Sequence, residues 1–174
     1  MSVERLRWVG LSHVESDECG GLNELLAVAP GARPLCSRVA AMVSVDDLAD
    51  RPSRPLDDGE VLELGKSRVR WLDTPHLPHG WDCGYLFEET TGTLLCGDLF
   101  TQPGADTPPV TEGDILGPRE AMREGMDYFA HSAGSSTLFE KLATTEPRTL
   151  ACMHGSAWKG DGAQLILALA DLVA

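Results

Sequence analysis

The chain reads as an α/β layered domain rather than a doubly wound sheet, and two observations predict this. Its first part alternates strand and helix patterns. Its middle then holds four strand patterns in succession, joined by short turns, before helices return around one further strand. At 174 residues, 43% hydrophobic and 24% charged, the chain suits one domain, residues 1–174, with a real core and no disordered tract.

Residues 5–12 (RLRWVGLS) carry apolar side chains at alternate and then consecutive positions, and predict a strand that ends at His13. Residues 21–28 (GLNELLAV) predict a short helix with Leu22, Leu25 and Leu26 on one face, stopped by Pro30-Gly31. Residues 34–37 predict a buried strand and 38–48 a helix, while the Pro- and Asp-rich stretch 51–59 predicts a loop. Residues 60–64 and 69–72 form a predicted hairpin about Gly65-Lys66-Ser67, and 85–88 and 93–96 a second pair through Thr90-Thr91-Gly92. Residues 101–118, with four prolines and three glycines, are long for a plain connection and predict a lid beside a site. Helices over 119–131 and 136–144, a strand over 149–153 and a helix over 164–173 complete the chain.

Fourteen basic against 27 acidic residues give a net charge of -13. That balance argues against nucleic acid and against an anionic membrane surface, both of which need a basic face. No apolar run approaches the length of a membrane span, and the N-terminal MSVERLRWVG lacks the apolar core of a signal peptide, so a cytoplasmic protein is expected. Five cysteines, an odd number without paired spacing, then read as free thiols.

The chemistry gathers where predicted strands end. Ser12 to Gly21 reads S-H-V-E-S-D-E-C-G-G, and in an extended segment His13, Glu15 and Asp17 point to one side. Crowding carboxylates in this way costs free energy unless a cation sits among them. After residue 72 comes T-P-H-L-P-H-G-W-D-C, offering His76, His79 and Asp82. L-L-C-G-D-L-F offers Asp98, and C-M-H-G-S-A-W offers His154. Singly, each is commonly a cap or a surface residue. Together they use four of the five histidines, leaving only His131 outside the pattern.

These four ordered motifs resemble the metallo-β-lactamase-fold superfamily and, within it, the oxygen-binding diiron domains of flavodiiron proteins. The resemblance implies an αββα sandwich that here lacks the first strands. Glu15 stands where the hydrolases of the superfamily carry their second His, as in the diiron branch, and the H-G-W-D-C match puts His79 rather than His76 at the ligand position. Carried over, one metal takes His13, Glu15 and His79, the other takes Asp17 and His154, and Asp98 bridges them. Mixed imidazole and carboxylate ligation favours iron, with zinc or manganese as alternatives. Glu18, at the position of the motif's last His, is a further ligand or a supporting group, as are His76 and Asp82. None of the ligand positions is a cysteine, and Cys19, Cys83, Cys96 and Cys152 are expected to pack around the site as small hydrophobes.

The implied function is binding or reduction of O2 or NO. No flavodoxin-like domain fits in the chain, so no FMN is expected and electrons come from a separate redox partner. The alternatives are a dinuclear metallohydrolase acting on an ester, thioester or lactone, and a non-catalytic sensor or truncated paralogue. With only residues 5–12 before the first ligand, the first strand is expected to lack neighbours, which predicts a homodimer.

Overall fold

The protein is described here by a computed structural model covering residues 2–173. Its strands are β1 Trp8–Gly10, β2 Arg33–Ser37, β3 Arg54–Leu56, β4 Val61–Leu64, β5 Ser67–Asp73, β6 Gly84–Glu88, β7 Thr93–Leu95, β8 Val110–Thr111, β9 Thr149–Ala151 and β10 Ala157–Lys159. The helices are α1 Ser16–Cys19, α2 Leu22–Val28, α3 Arg38–Ala40, α4 Asp46–Leu48, α5 Leu116–Gly125, α6 Ser135–Ala143 and α7 Gly162–Val173, with a wide π-type turn, Ala41–Val45, joining α3 to α4.

Two sheets form. The smaller is parallel, in the order β1-β2-β3, its strands linked by the helical crossovers that parallel pairing requires. The larger runs β4-β5-β6-β7-β9-β10-β8. It is antiparallel from β4 to β7 and parallel where β7 meets β9. Strand alternation divides the core into three. In β2, Leu35 faces Leu56 and Trp71 between the sheets. Cys36 faces the other way, into a cluster with Leu26, Ala40 and Val45 under the first helices. The far face of the larger sheet packs Leu94 and Leu150 against α6 and α7. Those helices present Phe139, Leu142 and Ala143, and Gly162, Ile166 and Leu169, at helical spacing. The result is helices, sheet, sheet, helices, the αββα sandwich expected.

Several boundaries differ from expectation for identifiable reasons. Only Trp8–Gly10 of residues 5–12 is strand, and Val3–Arg5 is a 3-10 turn. The stretch 51–59 contains β3, hidden from a composition reading by Pro52 and Pro55; Pro55 is tolerated because β3 is an edge. The first of the later helices ends at Gly125 rather than residue 131. β10 was not anticipated, and within 101–118 the two residues of β8 pair with it, tying that stretch to the sheet edge. Among the described residues no helix is long and apolar enough to cross a membrane. β1 is an edge strand, and a crevice of about 390 Å³ opens beside it between the sheets, lined in part by Gly10, Trp71, Leu86 and Leu95.

Candidate metal centre

Four strand ends converge on one rim. The Ser12 carbonyl, just past β1, accepts from the Gly84 N–H at 2.9 Å, and Gly84 pairs with Asp73 at the end of β5. Gly97, just past β7, accepts at its carbonyl from the Met153 N–H at 3.0 Å, just past β9. Gly97 also lies against Ser12: at φ +44, a Cβ there would come within 2.7 Å of Ser12 Oγ. His13, the 74–83 loop, Asp98 and His154 therefore meet in space although they are up to 141 residues apart, from 13 to 154.

Each side chain is held by identifiable contacts. Glu15 keeps the extended backbone that the alternation requires, with φ -145° and ψ 158°. His13 and Glu15 accordingly meet, Nε2 to Oε2 at 2.9 Å. The extended reading fails at the next step. Residues 16–19 turn into α1, which swings Asp17 away from Glu15 to face His154, Nε2 to Oδ2 at 3.0 Å. In the 74–83 loop, fully buried Leu77 pins the chain, its carbonyl accepting from Tyr85 Oη at 2.8 Å. His76 is exposed at φ +65 and takes no part in the cluster, whereas His79 turns inward. Asp82 is buried and accepts from the Val14 N–H at 2.8 Å, so it fastens the first motif to this loop. Gly80, at φ +72, leaves room for that carboxylate; a Cβ would meet Asp82 Oδ1 at 2.9 Å.

The side chains fall into two groups that share Asp98. Its Oδ2 lies 3.6 Å from His13 Nε2 and 3.7 Å from His79 Nε2, and His79 Nε2 lies 3.8 Å from Glu15. Its Oδ1 lies 3.5 Å from His154 Nε2. Donors bound at about 2.0–2.2 Å to one ion stand roughly 3–3.6 Å from one another; the group of His13, Glu15, His79 and Asp98 approaches that spacing, while on the other side His154 lies within it of both Asp17 and Asp98. The Thr101 hydroxyl lies 3.1 Å from the Asp98 carbonyl and 3.2 Å from Asp98 Oδ1, so its one proton is shared between the backbone and the carboxylate of that residue.

The proton positions point the same way. Ser12 Oγ donates to Glu18 Oε1 at 2.6 Å, so at 2.9 Å it can only accept from His13 Nδ1. A neutral His13 then carries its proton on Nδ1 and aims the Nε2 lone pair at the oxygens of Glu15 and Asp98. Lone pairs facing one another are unfavourable without a cation between them. The ligand atoms of His13, Glu15, His79 and Asp98 lie within 4.8 Å of one another. Two full carboxylate charges at that separation repel by on the order of 3 kcal/mol, less where Glu15 meets solvent. Glu18 is thus a support for Ser12 and His13 rather than a group facing the cluster.

Without a metal, protons take up part of this charge. The Asp98 carboxylate raises the pKa of His79 against the opposing effect of burial. Burial pushes Asp98 up, but His79, His13 and His154 outweigh it and hold Asp98 below its usual range. The cysteines do not enter the cluster. Burial pushes Cys83 up to about 12, and Cys19 donates to the Glu15 carbonyl at 3.1 Å. His131 sits apart on Asp127.

Three participants escape a reading of the sequence. Ser12 and Thr101 stand next to or three residues from a candidate ligand, which is a weak signal. Tyr128, whose ring meets His79 edge-on at 6.4 Å, comes from an irregular segment without any. Behind it, the fully buried Arg119 stacks on Phe129 at 4.2 Å and Tyr128 at 5.7 Å.

No family model matches the chain. Over an alignment of 181 positions it is 26% identical to the anaerobic nitric oxide reductase flavorubredoxin of Aeromonas hydrophila, spanning 96% of this chain and 35% of that protein. Among solved structures, a metal-soaked flavodiiron core from Synechocystis superposes with a TM-score of 0.83 at 22% identity, over 99% of this chain and 44% of that one. The diiron chemotaxis sensor ODP superposes with a TM-score of 0.79 at 21% identity, over 97% of this chain and 71% of that one. The chain therefore has the metallo-β-lactamase-like fold of flavodiiron cores, and it spans about a third of the length of the curated relative.

Proposed function

We propose that the domain holds two iron ions and binds or reduces O2 or NO, with electrons delivered by a separate redox partner. His13, Glu15 and His79 would hold the deeper ion, Asp17 and His154 the outer one, and Asp98 would serve both. The observation that carries this reading is the paired geometry about Asp98, with the His13 lone pair fixed toward it by Ser12 and Glu18. The similarity to flavorubredoxin and to flavodiiron cores supports iron over zinc, as does a set of six ligands split evenly between imidazole and carboxylate.

When bound, a pair of ferrous ions supplies two electrons and open coordination positions for a small ligand. The protein's own part is to hold and orient. Ser12 and Glu18 fix the His13 ring, Thr101 supports Asp98, and the buried Leu77 anchors the loop that carries His79. The Tyr128 ring stands edge-on to His79 and is backed by Phe129. The same site without turnover is a sensor of these ligands, a second reading favoured by the likeness to ODP. A second copy of the chain against the β1 edge belongs to the proposal as well, since that edge has no strand partner on one side among the described residues.

Metal content after anaerobic purification tests the reading. Up to two irons per chain are expected, with a visible spectrum that changes on exposure to O2 or NO. Zinc alone at full occupancy, with no iron taken up on reconstitution, would turn the assignment toward the metallohydrolase. Chain that binds no metal under any condition would end it.

A further inference from the structure

Cys96 and Cys152 stand beside each other on neighbouring parallel strand ends. Their partners one residue earlier, Leu95 and Ala151, are in register, and the Cys96 N–H donates to the Ala151 carbonyl at 3.0 Å. Both side chains therefore leave the same face of the sheet, and the sulfurs are 4.0 Å apart. Neighbouring strands lie about 4.8 Å apart, inside the roughly 4.4–6.8 Å range of Cα separations that disulfides span. Cys96 is fully buried and Cys152 only partly so. The pair has an outer thiol that a small oxidant can reach and an inner one that it cannot.

We propose that Cys96 and Cys152 are a redox modification site, closed to a disulfide by a hydroperoxide, and that closure loosens the metal centre. Cys152 Sγ attacks one peroxide oxygen. The S–O bond forms, the O–O bond breaks, and the leaving hydroxide takes the thiol proton as water. This leaves a sulfenic acid on Cys152. Cys96 Sγ then attacks the Cys152 sulfur, the S–S bond forms, the S–O bond breaks, and the second hydroxide takes the Cys96 proton. Two thiols lose two protons and two electrons, and one hydrogen peroxide takes them up to become two waters. The sulfurs must close from 4.0 Å to about 2.05 Å. That movement acts on the strand ends carrying Asp98 and His154, each two residues on. The second half of the proposal rests on the metal reading above, and the first half does not.

The experiment uses the whole chain, reduced and metal-free, treated with hydrogen peroxide. Thiols are counted by alkylation and the disulfide is mapped by mass spectrometry without reduction. The five thiols should fall to three, with Cys96 joined to Cys152, and dithiothreitol should restore all five. Cys96→Ser should instead accumulate a sulfenic acid at Cys152 that a dimedone probe traps. Five thiols persisting, a bridge between other cysteines, or oxidation confined to the sulfur of neighbouring Met153 would overturn the site. Iron binding is then compared for the reduced and oxidised chain. Affinity at least about tenfold weaker after oxidation is expected, the scale on which disturbed support of metal ligands acts. The Cys96→Ser/Cys152→Ser double variant should show no such change on peroxide treatment. A mapped Cys96–Cys152 bridge with unchanged iron affinity would remove the coupling. A bridge in a chain that binds no metal at all would instead count against the metal reading.

Discussion

The two halves of the cluster share Asp98 but are built differently. On one side His13 is 3% exposed and His79 30%, with Glu15 reaching solvent at 48%, and the His13 ring is gripped through Ser12 and Glu18. On the other side His154 and Asp17 are 42% and 45% exposed. Asp17 rides on a four-residue helix whose first residue follows the extended Glu15. Burial strengthens electrostatic attraction to a cation, and a held ring loses less entropy on binding. The deep half is therefore preorganised and the outer half must be completed by the ion it binds. If the proposed centre forms, its two ions should load in sequence, deep before outer, in a titration of metal-free chain followed by calorimetry. Two sites filling in parallel would break the distinction.

Replacing the shared group has the largest effect. Asp98→Ala removes a donor from each half and leaves the two cations unscreened from one another, so both ions should be lost at ordinary protein concentrations. The next effect separates the halves. His79→Ala should empty the deep half, and His154→Ala should spare it and leave about one ion per chain, read by elemental mass spectrometry. Equal losses in the two variants would mean that neither half stands alone.

The unequal halves were unequally legible in the sequence. The ladder of motifs at strand ends is visible because each ligand follows a short apolar run, and the i, i+2 spacing of His13 and Glu15 survives folding unchanged. The i, i+2, i+4 alternation alone put Asp17 beside His13 and Glu15, whereas the resemblance put it with His154, where it lies. The turn of Ser16–Cys19 sends it to the opposite half, and nothing in S-D-E-C marks where an extended chain stops. Glu18 shows the same limit. Its type suggested a ligand, yet its place is set by the hydroxyl of Ser12, a contact across the turn. The layered α/β class was legible from element order and the sandwich from the resemblance, while β3 and β10 were not. β3 is masked by proline, and β10 is three residues long and gains its strand character from pairing with β8 and β9.

The grip on His13 can be tested directly. Ser12→Ala leaves Nδ1 without its acceptor, and Glu18→Gln weakens the hold on Ser12. Each should reduce affinity in the deep half by about 10–100-fold, as loss of such a partner does elsewhere, with the outer half less affected. Protons compete in the deep half too. The pKa of His79 is raised from 6.5 by Asp98, and a metal needs the neutral ring. Affinity should therefore fall as pH drops through that raised value, by about tenfold per unit for one competing proton. The metal-free chain should show the opposite slope. His79 stabilises it fully below 6.5, and that contribution is lost as pH rises through the raised pKa. The lowered pKa of Asp98 adds stability that disappears only as pH falls below the ordinary range near 3.8. The gap in melting temperature between loaded and metal-free chain should then widen from pH 6 toward 8. A constant gap would mean that His79 does not exchange its proton for metal.

The smallest effect is expected at His76, three residues before His79 in the same loop. The residue is exposed, its backbone sits at φ +65, and its side chain has no hydrogen-bond or ion-pair partner among those described. What fixes this part of the loop is the buried neighbour Leu77 together with the His76 N–H, which donates to the Gly80 carbonyl at 2.7 Å; His76→Ala keeps both. Metal content should stay within about twofold of the parent and stability within about 0.5 kcal/mol, the range of surface substitutions. His79→Ala provides the contrast, since it differs only in which way its side chain leaves the loop. If His76→Ala empties the deep half while His79→Ala does not, the ligand order along this loop is displaced by three residues. The distinction between a gripped and an open half would then have to be rebuilt around a different histidine.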